Sequence, residues 1–341
     1  MKQREVLTLL LAILAGTLLA GLFAPKALQF FGYNGMTIED IVARPEASAG
    51  RALLLGQALY TLLMFALPGL YLMQRWREKP LVPALPKGSW SWIDSLLAWA
   101  ILPMSLPFLS YCTDLWSTIA ADWAFMAPHF ESAQASDRAV EKMLFFPTLG
   151  DQLFSMATFV LVAALSEEIL FRGAVQRLLH DRTSPLPAIF GASLAFALGH
   201  MNFVQWPFLL GAGLILGGLY WISGRLWVTM GAHVLHNGLT YYWTLQAGPN
   251  QYGNLEVDLP GWGILVSTGI AVGVGVLLFR RSLESSRARG LESAGCALKL
   301  EGWRTPSKRN ARHFRAGHIT YKRLKRLVGL VQLLRRTCRV G

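Results

Sequence analysis

The sequence predicts an all-α fold: a polytopic transmembrane helical bundle of about eight spans with a basic C-terminal extension. Three observations carry this. The 341-residue chain is 53% hydrophobic and only 15% charged, with a mean hydropathy of +0.38, more apolar than an ordinary soluble domain. Its apolar residues fall in repeated runs of membrane-spanning length. The net charge of +12 is confined: residues 280–341 hold 17 of the 32 Lys and Arg and 3 of the 20 Asp and Glu, so this tail is +14 and the remainder −2. Basicity therefore belongs to one appendage and is no signature of a nucleic-acid-binding core.

The first apolar run, 7–23, follows a short basic start. It fits a first transmembrane helix or a cleaved signal ending near Leu22, Phe23 and Ala24; a retained helix is favoured because many spans follow. Further runs occur at 53–73, 92–109, 154–179, 186–203, 207–222, 226–245 and 262–279. With the N-terminus inside, the positive-inside rule places Arg75, Arg77, Lys79, Lys87, Arg177, Arg182, Arg225 and the tail on the cytoplasmic side, and the acidic loop 250–258 outside. The expected organisation is 1–149, three N-terminal helices and an outer loop; 150–279, a core carrying the chemistry; and 280–341, a cytoplasmic tail. The bias fits a multi-pass protein of a bacterial inner membrane with both termini cytoplasmic.

Residues 110–152 read as a long interfacial connector, with Trp116, Trp123, Phe125 and Phe130 at the outer membrane face. Pro103 and Pro107 predict a kinked third span, and Gly211, Gly213, Gly217 and Gly218 permit close helix approach in the sixth. The three cysteines, Cys112, Cys296 and Cys338, form neither a zinc-type pair nor an even disulfide framework and receive no role. In the tail, Leu324, Leu327, Val328, Val331 and Leu334 recur at helical spacing among Lys and Arg. Residues 320–337 thus read as either an amphipathic helix on an anionic leaflet or a disordered basic extension. No folded motif supports a specific nucleic-acid partner.

The costliest stretch is Ser166, Glu167, Glu168, Ile169, Leu170, Phe171, Arg172, which sets three ionisable groups inside an apolar run. Each costs about 2.5–3.5 kcal/mol at mid-membrane if unpaired. Glu168 and Arg172, four apart on one helical face, offset this as an ion pair. Glu167 has no local partner and needs a distant donor, a wet cavity or a proton. The other intramembrane polar groups are His200, and His233, His236 and Asn237 of the seventh run. His233 and Asn237, four apart, face the same way; His236 is rotated away and reads as a packed histidine. Counted from the cytoplasmic ends, Glu167, His200, His233 and Asn237 lie roughly 18, 21, 10 and 17 Å deep, compatible with one layer. A carboxylate in apolar surroundings can take a proton from water and return it to a leaving amine, while imidazole and amide groups hold the water or meet a developing oxyanion.

The motifs E-E-x-x-x-R at Glu167 to Arg172, F-x-x-x-H at Phe196 to His200 and H-x-x-x-N at His233 to Asn237 resemble those of the CAAX protease and bacteriocin-processing (CPBP, or Abi) family of intramembrane endopeptidases, which includes Ras-converting prenyl-protein proteases. The resemblance covers about residues 150–245. It implies that Glu167, with His200, holds and activates water, that His233 and Asn237 stabilise the oxyanion, that Glu168 and Arg172 form a structural ion pair, and that Phe196 packs. The expected activity is therefore glutamate-dependent hydrolysis of membrane-embedded, prenylated or otherwise anchored peptides. A metal-free route is favoured, since the H-E-x-x-H helix is absent; zinc held by Glu167, His200 and His233 is the alternative. A proton-coupled transporter would also want mid-membrane Glu and His, though no internal repeat is evident, and a non-catalytic scaffold would keep only the ion pair.

Overall fold

The computed structural model describes residues 2–76, 90–249 and 260–300, the last segment in side-chain detail only as far as 284. The chain divides into two units, Met1–Ala288 and Arg289–Gly341; the bundle described below is the first. The amphipathic stretch expected at 320–337 and the acidic loop 250–258 lie outside the described residues.

Every described element is a helix. In order they are α1 (Lys2–Phe30), α2 (Ile38–Val42), α3 (Ala47–Arg75), α4 (Trp92–Ala120), α5 (Ala127–Leu144), α6 (Leu149–His180), α7 (Pro185–Gly199), α8 (Trp206–Ser223), α9 (Leu226–Ala247) and α10 (Gly261–Leu300). Local chemistry sets several boundaries. Ser91 caps α4 and Thr37 caps α2, each through a capping box whose reciprocal carboxylate is Asp94 or Asp40. Proline opens the first turn of α5, α7 and α8, where its missing N–H costs nothing. Gly224, at φ 61°, ends α8 in the left-handed conformation that glycine adopts without a Cβ penalty.

The expected count of eight spans is corrected. Six helices among the described residues are long and apolar enough to cross a membrane: Gln3–Phe30, Ala47–Arg75, Trp92–Ala120, Leu149–His180, Trp206–Ser223 and Gly261–Glu284. Two of the expected spans fail for different physical reasons. The run 186–203 forms a helix of only 15 residues, Pro185–Gly199, about 22 Å at 1.5 Å per residue, short of a hydrocarbon core of about 30 Å. The run 226–245 is long enough, but His233, His236 and Asn237 make α9 too polar to qualify. The long connector expected at 110–152 is also corrected. Span α4 continues to Ala120, and Ala127–Leu144 is itself helical.

Helix α6 sits at the centre and packs on α3, α7 and α9, while α4 packs on α8 and α9. One core cluster joins Phe65 and Leu72 of α3 to Leu170, Phe171 and Val175 of α6 and Phe196 of α7. A second joins Leu102 of α4, Leu216 of α8, Val228 of α9 and Leu278 of α10. Lipid offers no hydrophobic gain for helix contact, so close fit and interhelical hydrogen bonds must hold such a bundle. The α7–α8 pair shows how: a Cβ on Gly213 would stand 2.9 Å from Cβ of Ser193, and one on Gly217 would stand 3.0 Å from Cγ2 of Ile189. At that separation the carbonyls of Gly213 and Gly217 come within reach of Arg172 (Nη2–O 3.2 Å) and Gln176 (Nε2–O 2.9 Å) on α6. Gly218, expected to share this role, faces open space. Gly213→Leu should therefore lower stability by about 1–3 kcal/mol through overpacking. Gly218→Leu should leave it unchanged, as thermal unfolding in detergent can check.

Candidate active site

Helix α6 departs from regular α geometry at two places. π-helical turns at Ala157–Val162 and Phe171–Gln176 flank the eight-residue α segment Ala163–Leu170, which carries Ser166, Glu167 and Glu168. Such turns are rare and concentrate at functional sites. Between and beside them the charged side chains are buried: Glu168 fully, Arg172 at 1% exposed and Glu167 at 8% exposed.

The pair predicted from i,i+4 spacing forms, with Nη1 of Arg172 at 2.9 Å from Oε1 of Glu168. Around it is an assembly with no precedent in the local sequence. The same Glu168 Oε1 accepts from Nδ1 of His233 at 3.1 Å. The Arg172 guanidinium lies 4.9 Å from the centre of the Phe196 ring, a cation–π contact that helps offset its burial. Phe196 also touches Phe171, His200 and His233, at centroid separations of 5.2, 4.6 and 6.1 Å. It packs against both imidazoles.

Both histidines are oriented through Nδ1. His233 gives its Nδ1 proton to the Glu168 carboxylate, and His200 gives its own to the carbonyl of Phe196 at 2.8 Å. The partner on one ring nitrogen decides the tautomer, so in its neutral form each ring has its lone pair on Nε2. These nitrogens converge on one atom, Oε2 of Glu167, at 3.7 Å from His200 and 3.8 Å from His233. Each gap is too long for a direct hydrogen bond and suits a shared water. His200 is held at the very end of α7. Beyond it the chain turns sharply through Met201, at φ 52° the sole non-glycine residue with positive φ among those described. Such a conformation costs of order 1–3 kcal/mol and gathers at functional sites.

Asn237 lies one turn beyond His233 and donates from Nδ2 to the carbonyl of Phe159, in the first π turn of α6, at 3.0 Å. An amide nitrogen has two hydrogens, so one remains for a ligand. Glu167, His200, His233 and Asn237 all line one cavity of about 130 Å³, walled by Leu102 of α4 and Phe208 and Leu216 of α8. This is room for several waters. His200 is more exposed than the carboxylate it faces, with 28% of its side chain accessible against 11% for Glu167. Sequence reading treated His236 as a packed histidine, yet it lines the same cavity; its position three residues after His233 was the available signal.

Oε2 of Glu167 and Nε2 of His200 and His233 are also the atoms a divalent metal would need. Among the described residues no group of three or more His, Cys, Asp or Glu side chains is arranged to hold a metal ion. Glu167, His200 and His233 as placed therefore do not fit one.

Neither the curated proteins nor the solved structures contain a match to this chain. Residues 149–239, which run from the start of α6 into α9 and hold every polar residue of the site described above, match the model for the type II CAAX prenyl endopeptidase Rce1-like family, and this segment is similar to that family of proteases.

Proposed function

We propose that the protein is an intramembrane endopeptidase that hydrolyses membrane-embedded or lipid-anchored peptides with a water activated by Glu167. The observation that carries this reading is the convergence of two oriented imidazole nitrogens on one carboxylate oxygen, from three separate helices. A water lying between Glu167 and His200 loses a proton to the Glu167 carboxylate as its oxygen attacks the peptide carbonyl carbon. The carbonyl oxygen becomes an oxyanion, which meets the second Nδ2–H of Asn237. Nε2 of His233, 3.8 Å from the same Glu167 oxygen, closes the site that holds the water. The C–N bond then breaks, and Glu167 returns its proton to the leaving amine. No serine or cysteine nucleophile enters. Glu168 and Arg172 are positioning residues that hold His233.

Six apolar helices make the protein integral to a membrane and multi-pass. The basic residues near the ends of α3 and α6, Arg75, Arg177 and Arg182, support an assignment of those ends to the cytoplasmic face of a bacterial inner membrane.

The test is purified protein in vesicles, presented with a library of transmembrane and prenylated peptides, with products read by mass spectrometry with and without a chelator. Cleavage that persists under chelation is the expected result. Loss of cleavage under chelation overturns the metal-free route in favour of zinc at the same three side chains. A proton flux with no product peptide overturns the peptidase reading itself.

A further inference from the structure

We infer that His236 is a substrate-binding residue: its Nε2–H donates a hydrogen bond to a main-chain carbonyl oxygen of the peptide beside the scissile bond. This inference rests on the peptidase reading and adds to it a fifth polar side chain on the cavity. Two independent observations support it. First, His236 lines the cavity that holds Glu167, His200, His233 and Asn237, although none of those four bonds to it. Second, the ring is only 8% exposed, and its Nδ1 is buried with no hydrogen-bond partner among the described residues.

The unpaired Nδ1 settles the tautomer. A proton there would be a buried N–H with no acceptor, one of the rarer and costlier states in folded proteins. The ring's proton therefore sits on Nε2, which leaves Nε2 as the nitrogen that can reach the cavity and makes it a donor. His200 and His233 are set the other way, with Nδ1 committed to a protein acceptor and Nε2 left as a lone pair. The cavity thus presents lone pairs around Glu167, suited to a water, and a donor at His236, suited to a carbonyl oxygen. The ring packs on Phe208, centroid to centroid 5.7 Å, so its direction is fixed by α8.

Stability alone does not account for a histidine here. Replacing a buried, unpaired polar ring with an apolar one of similar size is neutral or stabilising, and Phe would keep the stack on Phe208. A position where the apolar residue would fold as well or better, and histidine is found, is where function has overridden local preference.

The experiment compares wild type, His236→Phe and His236→Gln on an internally quenched transmembrane peptide in phosphatidylcholine–phosphatidylglycerol vesicles, with thermal unfolding measured on each. His236→Phe should unfold at the same or a higher temperature, raise KM about tenfold, the value of one hydrogen bond of about 1.4 kcal/mol, and change kcat less than threefold. His236→Gln, whose amide nitrogen reaches about as far as Nε2, should restore most of KM. An unchanged KM in His236→Phe overturns the inference and leaves the ring as packing. A lowered unfolding temperature, with kcat falling and no rescue by Gln, does the same. Failure of the wild type to cleave the peptide removes the peptidase reading and this inference with it, whereas wild-type cleavage with unaffected variants removes the inference alone.

Discussion

Glu167→Gln should lower kcat for peptide cleavage by about 10²- to 10⁴-fold, the contribution expected of a general base, with no loss of stability. The amide keeps the shape of the carboxylate but takes no proton from water. It also offers N–H donors toward the two Nε2 lone pairs that stand 3.7 and 3.8 Å from Oε2, so its unfolding temperature should equal or exceed that of the wild type. Initial rates and thermal unfolding on the same preparation separate the two effects. Cleavage retained in this variant assigns the base elsewhere. A fall in rate matched by a fall in stability makes Glu167 a structural residue.

Arg172→Met should be the most destabilising single change, by about 3–5 kcal/mol, because it strands a fully buried carboxylate. It would also remove the donor to Gly213 and the cation over Phe196. Replacing both members, as in Glu168→Leu with Arg172→Leu, removes the stranded charge and should recover much of that stability. It should not recover activity, since Nδ1 of His233 loses the acceptor that sets its tautomer. Thermal unfolding and cleavage rates across the single and double variants decide the matter. A double variant with normal cleavage would reduce Glu168 to half of an ion pair.

The Glu168–Arg172 pair was legible in the sequence because both residues lie on one helix and helical geometry dictates their separation. The meeting of Glu167, His200 and His233 was legible only as a similarity of depth. Spacing along a helix gives height, while rotation and partner choice come from packing between helices. For that reason the bond from His233 to Glu168 and the reach of Asn237 to the Phe159 carbonyl left no trace in the linear pattern. The span count failed where an apolar run was taken for a crossing. In 186–203 the helix stops at Gly199 and the chain turns away at Met201, which leaves His200 at a helix end rather than buried in a span. In 226–245 the polar side chains that signalled chemistry are the same ones that make α9 a poor crossing helix. The connector at 110–152 was misread because the spacing of Trp116, Trp123, Phe125 and Phe130 marks an interface without telling helix from loop; the helix α4 carries on to Ala120 and Ala127–Leu144 is helical too.

The central claim is that Glu167 and His200 act on one water, and a double-mutant cycle on kcat/KM tests it most directly. Residues that work as a unit are strongly non-additive. Glu167→Gln combined with His200→Ala should cleave a transmembrane peptide within about threefold of the slower single variant. A double variant whose loss equals the product of the two single losses would contradict it, for then the two side chains contribute independently and no shared water joins them.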